Sequence, residues 1–320
     1  MQTMTDSVVS FPNVLLATDF SAASHAAFQT ALVVCTELRA SLLILHVFEH
    51  ANAVPPETGG QLLELDSIYQ SARNSLDDLF QLARRAGVPC ETILGSGIPS
   101  EEILRTITSK EIDLAVLGTN ALHGFERLIF GSTAEAVLRK ALCSVLTVGP
   151  QATGAAKAGP LDGPVVFATD FHFTTTDAIR YAASFCKATR SPLHCLHVLP
   201  RTLEGGVRRH IIPQIMTEAL QRVAIESGTT IDPQVCAITY GSEISNAVVE
   251  YAKHQKARLI VLGVRQASMV ASHVPGHIAY RIITEAPCPV LTVAFASQPH
   301  ATLETRSRTC DLELSDRVET

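Results

Sequence analysis

Tryptophan is absent from the sequence, and aromatic residues make up only 5% of its 320 residues. Basic residues are also scarce: Lys and Arg number 25 against 31 for Asp and Glu, which leaves a net charge of −6, and no long basic stretch occurs. Proteins that bind nucleic acids usually present a basic surface to the phosphates, and many stack bases on aromatic rings. The composition therefore predicts no nucleic-acid partner.

Long hydrophobic runs are missing as well. The apolar stretch Leu42–Phe48 is interrupted by His46 and falls far short of the roughly 20 residues that a membrane-spanning helix needs. The first residues, Met1–Phe11, contain neither the basic segment nor the apolar core of a secretory signal. We therefore expect a chain that neither enters a membrane nor is secreted.

Closely spaced cysteine pairs are lacking too. None of the eight cysteines belongs to a CxxC motif, and several lie in apolar surroundings typical of strands or helices. In a chain of this length, such cysteines are typical of buried small side chains in a reducing compartment. A disulfide or zinc role is the weaker interpretation, because the ligand spacing of zinc sites is absent. The prediction is a cytoplasmic protein.

The sequence does contain an internal repeat. NVLLATDFS at 13–21 reappears as PVVFATDFH at 164–172, and holding this offset of 151 residues over 14–48 gives 13 identities in 35 positions. Later in the unit the offset becomes 145, so that Cys143–Val148 corresponds to Cys288–Val293. The chain, long enough for about two domains, therefore reads as two copies of one unit.

The repeat predicts two domains, at residues 11–150 and 164–296, which we call the N-terminal and C-terminal repeats. Residues 151–163 between them are rich in Gly, Ala and Pro, which predicts a flexible linker. Residues 297–320 are polar and charged without periodicity, so a disordered tail is expected.

Short apolar runs alternate with amphipathic stretches in each repeat. In the N-terminal repeat the apolar runs predict strands at Val14–Thr18, Leu42–Val47, Thr92–Leu94, Leu114–Leu117 and Val145–Val148. The stretches between them predict helices at Ser21–Arg39, Gln61–Ala86, Pro99–Lys110 and Ser132–Ala141. The C-terminal repeat has comparable apolar runs near Val165, Leu196, Val235, Ile260 and Leu291. This alternation indicates an α/β fold, a parallel sheet with helices on both faces.

Two polar segments follow strands at the end where open parallel sheets bind ligands. Thr18 and Asp19 close the first strand, and the segment from Gly118 to Thr133 closes the fourth strand and opens the last helix. Glycine allows a phosphate to approach the backbone, and the N–H groups and hydroxyls at a helix start favour an anion. Asp19 could accept from a ribose hydroxyl or face Mg²⁺. Each segment also has an ordinary structural interpretation, as a glycine turn and as a helix cap.

Motifs for catalysis are not found. The sequence contains neither GxxxxGK[ST] nor a GxGxxG after the first strand of either repeat, which excludes a P-loop NTPase and the dinucleotide-binding fingerprint. His46 and His197 end the second strands, but no nucleophile stands at a supporting spacing, so a buried histidine bonded to the backbone is the favoured interpretation. We therefore assign no catalytic residue.

Several segments of the N-terminal repeat, in the same order, resemble the universal stress protein (UspA-like) family. They are ATDFS at 17–21, LLILHV at 42–47, GSGIPSEEI at 95–103, DLAVLGT at 113–119 and GSTAEAVLRKALCSVLTV at 131–148. With the repeat, the whole chain resembles a tandem universal stress protein. The resemblance implies a Rossmann-like, five-stranded parallel sheet of order 3-2-1-4-5 in each repeat, which places Asp19 beside the loop that begins at Gly118.

Many members of this family bind ATP through the signature G-x2-G-x9-G-[ST]. Gly118, Gly131, Ser132 and the trailing Thr133 match it, whereas Ala121 stands in place of the middle glycine. By the same resemblance, the adenosine part of the pocket would be lined by Ala17, Thr18, Asp19, Val47 and Leu117. The resemblance therefore implies ATP, with Mg²⁺, in the N-terminal repeat.

The C-terminal repeat departs further from the signature. Gly263 and Gly276 are retained, but Gln266 replaces the middle glycine and His277 replaces the Ser or Thr. We interpret this repeat as a structural half with a degenerate loop.

Three functions stay open at this point. The first is a stress-response regulator that binds ATP in the N-terminal repeat. The second is a structural or signalling stress module that has lost the ligand, an alternative that Ala121 favours because alanine resists positive φ. The third is a slow ATP hydrolase, which the lack of a general base or nucleophile disfavours.

The closing strands, 145–148 and 290–293, lie at sheet edges in the order 3-2-1-4-5. Exposed apolar edges must be paired or covered. Universal stress domains dimerise through this strand, so the resemblance implies that the two repeats pair within the chain. A homodimer of the whole chain stays open.

Overall fold

The computed structural model describes residues 9–49, 59–119, 131–152, 163–171, 178–203, 236–265 and 278–295, with isolated positions between 211 and 222. Most of the expected linker, the tail 297–320 and the segment 120–130 with Ala121 lie outside the described residues. Gln266, Gly276 and His277 lie outside them as well.

The N-terminal repeat alternates strands and helices as its apolar pattern predicts. Its strands are β1 (Asn13–Thr18), β2 (Ser41–Phe48), β3 (Cys90–Ser96), β4 (Leu114–Gly118) and β5 (Ser144–Val148). Its helices are α1 (Ala22–Leu38), α2 (Gly59–Arg85), α3 (Pro99–Ser109) and α4 (Ser132–Lys140). Each expected element is present within a few residues of its predicted bounds.

The C-terminal repeat follows the same scheme. Its strands are β6 (Val165–Ala168), β7 (Leu193–Pro200), β8 (Cys236–Gly241), β9 (Leu259–Arg265) and β10 (Val290–Phe295). Its described helices are α5 (Ala178–Thr189), α6 (Ile244–His254) and α7 (Ile278–Glu285), with a 3₁₀ turn at Arg201–Leu203. No helix in the described part of the chain is long and apolar enough to cross a membrane.

The strands form one sheet of ten, in the order β3-β2-β1-β4-β5-β10-β9-β6-β7-β8. Read from its outer edge inwards, each half of this sheet has the order 3-2-1-4-5, and all pairs within a half are parallel. The α/β fold class is therefore confirmed. The difference from two separate five-stranded sheets is that β5 and β10 pair antiparallel at the centre.

The backbone repeats its unusual conformations as well as its elements. Among the described residues, the non-glycine residues with positive φ form three pairs at the sequence offsets of 151 and 145: Phe20 and Phe171 (60° and 61°), Arg39 and Arg190 (both 55°), and Glu111 and Lys256 (49° and 50°). Positive φ is costly for such residues. The same turns are therefore built at the same places in both halves.

The core consists of two apolar layers, one on each face of the sheet. Successive side chains of a strand point to opposite faces, so Val14 and Leu16 of β1 join Phe28 of α1 in one layer, while Leu15 joins Val137 of α4 in the other. Each layer contains buried residues from both repeats. Because both faces are covered, the strands read as continuous apolar runs, as is typical of parallel sheets.

The junction between the repeats is nearly symmetric. The Thr147 hydroxyl donates to the carbonyl oxygen of Val290 at 3.1 Å, and its counterpart, Thr292, donates to the carbonyl oxygen of Val145 at 3.1 Å. Both threonines are buried. The two hydroxyls thus make the same bond from opposite sides, the pattern of an isologous interface.

Candidate functional site

The carboxyl ends of β1, β2 and β4 lie side by side at one edge of the sheet. Ala17 pairs with Leu117 on β4 and with Leu45 on β2, and Thr18 pairs with His46. The structure therefore brings together the ends of the strands that carry the sequence-predicted residues Ala17, Thr18, Asp19, Val47, Leu117 and Gly118. In the strand order 3-2-1-4-5, the order reverses at β1, and a crevice is expected between the ends of β1 and β4.

A tight turn links β1 to α1 through hydroxyl groups. The Thr18 hydroxyl accepts from the Phe20 N–H at 3.0 Å and donates to the Ser24 hydroxyl at 3.1 Å. Ser24 also donates to the carbonyl oxygen of Ser21 at 3.1 Å. Thr18 is buried, so its side chain fixes the turn.

Asp19 stands at the exposed tip of this turn. One of its carboxylate oxygens, Oδ1, accepts from the Ser21 N–H at 3.0 Å. Partial burial would raise the pKa of this carboxyl, but hydrogen bonds from Ser21 and Ser24 outweigh that effect and lower it. Asp19 is therefore held as a carboxylate, with Oδ2 oriented by the bond that Oδ1 makes.

Ser21, not Asp19, is the N-cap of α1. Its hydroxyl accepts from the Ser24 N–H at 3.3 Å, the usual N-cap bond. The interpretation of Asp19 as the helix cap is thus wrong, although Asp19 does bond to the backbone of the cap residue. The signal in the sequence is Ser21, which stands directly before the apolar-periodic stretch.

His46 supports the turn from β2. Its Nδ1 lies 2.8 Å from the carbonyl oxygen of Thr18, and its ring stacks on Phe20 with centroids 4.3 Å apart. Because a carbonyl can only accept, Nδ1 carries the proton. The C-terminal repeat makes the same contact, from His197 to Thr169 at 2.8 Å. The predicted bond to the backbone is therefore present at both histidines, although each is half-buried and not buried.

The structural role of Gly118 differs from the predicted one. A Cβ at this position would lie 2.4 Å from the carbonyl oxygen of Ala23 and 2.7 Å from the backbone nitrogen of Ser24. The glycine therefore allows β4 to approach the start of α1. The sequence predicted close approach of a phosphate, whereas the structure shows close approach of another backbone segment.

Gly131, Ser132 and Thr133 form the start of α4. Gly131 is the N-cap with φ of −60° and no side-chain cap, and a Cβ added to it would have no neighbour within 4 Å. Ser132 is exposed and Thr133 is half-buried. The first turn thus leaves its N–H groups without a capping side chain. Glu135, also in this turn, is paired with Arg139 at 3.4 Å.

Metal ligands are sparse at this edge. No group of three or more His, Cys, Asp or Glu side chains suitable for a metal ion occurs within the described ranges. Asp19 offers one carboxylate, and Mg²⁺ is commonly held by one or two carboxylates together with water and phosphate oxygens. The residues therefore fit Mg²⁺ only when a phosphate ligand accompanies it.

Comparison with known proteins agrees with the fold. The model of the universal stress protein family matches residues 10–149 and 163–294. A universal stress protein of Methanocaldococcus jannaschii is 30% identical over 139 residues, which are 43% of this chain and 82% of that protein. One from Bacillus subtilis is 30% identical over 146 residues, covering 43% of this chain and 99% of that protein.

A solved structure extends the similarity to both repeats. The crystal structure of a universal stress protein from Archaeoglobus fulgidus matches with a TM-score of 0.67 at 21% identity, covering 89% of this chain and 99% of that one. At this identity the match concerns the fold.

Proposed function

This chain belongs to the universal stress protein family, and from that premise we propose that its N-terminal repeat binds ATP together with Mg²⁺ and acts as a nucleotide-dependent regulator. The observation that carries the proposal is the position of the Asp19 carboxylate, ordered by Ser21, at the sheet edge where α4 begins. A helix that returns from the carboxyl end of β4 to the start of β5 must start at this edge.

The start of α4 supports a phosphate site. Its N–H groups have no capping side chain, and Gly131 leaves open space beside them. Uncapped N–H groups at a helix start favour an anion, and the Ser132 hydroxyl can add a further donor. Ala17, Val47 and Leu117 supply apolar surface at the ends of β1, β2 and β4, which suits a planar base.

Magnesium would be held by Asp19 and by the phosphates. It would supply the positive charge that the phosphates need, because none of the ten predicted residues is cationic. Ala17, Thr18, Asp19, Val47, Leu117, Gly118, Ala121, Gly131, Ser132 and Thr133 include one acid and no base. The ordered carboxylate of Asp19 is the group suited to such a cation.

The test is calorimetry with MgATP on the whole chain. We expect wild-type protein to bind, and Gly131→Leu to abolish binding while the fold persists, because the added side chain meets only open space in the protein. Gly276→Leu, at the corresponding position of the C-terminal repeat, is the matched control and should leave this binding unchanged. If wild-type protein takes up no adenine nucleotide at millimolar concentration, the second function, a stress module without a ligand, replaces this one.

We propose binding without rapid turnover. Phosphoryl transfer requires a group that positions or activates the nucleophile. The carboxylate of Asp19, in the β1–α1 turn, is engaged with Ser21, and the ring of His46, on β2, is engaged with Thr18. His123 and Glu126 lie outside the described residues. Turnover near the roughly 10 s⁻¹ typical of enzymes, lost in His123→Ala or Glu126→Ala, would instead establish the hydrolase.

We propose a cytoplasmic location because the described cysteines are free and most of them are buried. Within the described part of the chain they form no disulfide. Burial raises the pKa of the Cys35, Cys143, Cys186 and Cys288 thiols to about 12, so they are protonated and unreactive at neutral pH. Buried, inert thiols are typical of a reducing compartment.

We also propose that the β5–β10 ladder holds the repeats together in solution. The ladder removes both central edges of the sheet, and an edge left open would invite pairing with another chain. With these edges closed, a homodimer would require a different surface.

A further inference from the structure

The C-terminal repeat contains a cavity of about 270 Å³ at the carboxyl ends of β6, β7 and β9. The strand ends form one wall, and α6 and α7 form the other. A volume of this size lies near the lower end of small-molecule pockets, which run from roughly 300 Å³ upwards. The cavity also lies where strand order reverses, the usual ligand position in this architecture.

The cavity matches the candidate site of the N-terminal repeat residue by residue. Of the ten residues predicted there, seven have counterparts at the offsets of 151 and 145 that line this cavity. They are Ala168, Thr169, Asp170, Val198, Leu262, Gly263 and Ile278. The C-terminal repeat was expected to be only structural, but it has kept the walls of the pocket.

Its chemistry has changed at the rim. Thr133 of the N-terminal repeat corresponds to Ile278, so a hydroxyl of the candidate site has become aliphatic. Ile244 stands where the N-terminal repeat has Pro99. Ile244 and Ile278 are 46% and 43% exposed, unusual for isoleucine, and they flank the cavity with apolar surface.

The described lining of the cavity offers few donors to an anion. It contains no Lys or Arg, and its one acid is Asp170. The candidate site of the N-terminal repeat also has one acid and no base, but it carries a hydroxyl at Thr133 where this cavity has Ile278. A phosphate would therefore lose a donor here, and a molecule without negative charge is the compatible ligand.

His197 supplies one polar group to this apolar wall. Its Nδ1 donates to the carbonyl oxygen of Thr169 at 2.8 Å, so in the neutral ring Nε2 has a lone pair and can only accept. Phe171 stacks on the ring, with centroids 4.7 Å apart, and helps to fix its orientation. A ligand with one hydrogen-bond donor would satisfy Nε2.

We propose that this cavity is a second binding site, distinct in chemistry from the first, for an uncharged small molecule that combines an apolar ring with one hydrogen-bond donor. The aliphatic walls of the cavity bury the ring, and His197 accepts from the donor. This proposal does not depend on ATP binding.

Indole is a suitable probe, because it is a neutral ring with a single N–H. The chain contains no Trp, so indole fluorescence, excited beyond the absorption of tyrosine, can be followed without a tryptophan background from the protein. We expect a saturable blue shift of indole fluorescence with the whole chain. 1-Methylindole, which has no donor, should bind at least roughly five-fold more weakly, a change that corresponds to about 1 kcal/mol. The anion indole-3-acetate should not bind. Equal binding of indole and indole-3-acetate, or no saturation by indole, would overturn the proposal.

Matched variants locate the site. Ala279→Leu fills the cavity and should abolish indole binding, whereas Ala134→Leu, the same change at the counterpart in the N-terminal repeat, should leave it intact. The reverse result would place indole in the N-terminal repeat and refute the proposal. If Ala279→Leu does not fold, Ile278→Thr is the second variant, because it restores the residue of the N-terminal repeat at the rim of the cavity. Indole binding weakened several-fold supports the site, and unchanged binding counts against it.

Discussion

The guanidinium of Arg258 lies 2.6 Å from the carboxylate of Glu37, across the boundary between the two repeats. The Arg258 side chain is only 4% exposed, whereas that of Glu37, near the end of α1, is 25% exposed. Arg258 also donates to the Ser191 hydroxyl at 2.8 Å and lies over the ring of Phe185. The pair therefore joins a buried cation to a partly solvated anion. The buried cation needs its partner more than the anion does, because only the anion can be solvated by water.

Removing the anion should cost more than removing the cation. Glu37→Ala leaves a buried guanidinium without its carboxylate, for which we expect a loss of about 3 kcal/mol in the free energy of unfolding. Arg258→Met leaves a carboxylate that can reach water, and the loss should be about 1 kcal/mol. Urea unfolding measures both values.

The control for this pair is an exposed one. Lys253 and Glu250 lie 2.8 Å apart on the surface of α6, and Lys253→Met should change stability by less than about 0.5 kcal/mol. A larger loss for Arg258→Met than for Glu37→Ala would show that burial does not set the energy of the bridge between the repeats.

The symmetric hydroxyls at the junction should contribute equally. Thr147→Val and Thr292→Val each remove one buried hydrogen bond between β5 and β10, and each should cost about 1 kcal/mol. Hydrogen exchange should become faster at both strands in either variant, because the ladder is shared.

Thr30→Val is the matched control for the junction. Its hydroxyl, also buried, donates to the carbonyl oxygen of Ala26 within α1. This variant should lower stability without a selective change of exchange in β5 and β10. Selective loss of protection in only one of these strands would contradict a shared ladder.

The two glycines of the candidate site should respond oppositely to alanine. Gly118→Ala forces a methyl group to within 2.4 Å of the Ala23 carbonyl oxygen, and the backbone shift should cost about 3 kcal/mol. Gly131→Ala meets no atom and keeps an ordinary φ of −60°. Its cost should stay within about 0.5 kcal/mol, since the gain from a stiffer unfolded chain offsets the poorer N-cap. Thermal unfolding compares the two, and equal losses would contradict the close approach of β4 to α1.

The Asp19 carboxylate should stabilise the protein in a defined pH range. Hydrogen bonds hold its pKa below the ordinary value in the folded state, so the folded chain binds this proton less readily than the unfolded chain. Its contribution is present above the unfolded-state pKa of about 4 and disappears as the pH falls through the lower, folded-state pKa. Because the side chain is exposed, the contribution should be below about 1 kcal/mol.

Asp19→Asn tests this pH dependence. The difference in unfolding free energy between wild type and variant should be constant near neutral pH and shrink to zero in acid. Asp78→Asn, at an exposed position of α2, is the control. A difference that grows as the pH falls would contradict the hydrogen bonds at the β1–α1 turn.

Local patterns in the sequence were sufficient for much of the fold. Apolar runs covered on both faces, separated by amphipathic stretches, predict β1 to β5 and α1 to α4 because periodicity reflects which side chains are buried. The repeat of ATDF then predicts a second unit, and the strand ends identify Thr18 and Asp19 as polar residues at a ligand-binding edge.

Only the tertiary structure decided how these residues are used. Gly118 meets Ala23 and Ser24 across the fold, Thr147 meets Val290 from the other repeat, and Arg258 meets Glu37, contacts between residues far apart in the chain. The cavity of the C-terminal repeat is likewise a space left between strands and helices, which no stretch of sequence contains. Periodicity determines which face of an element is buried, but the distance between two elements depends on the packing of every side chain between them.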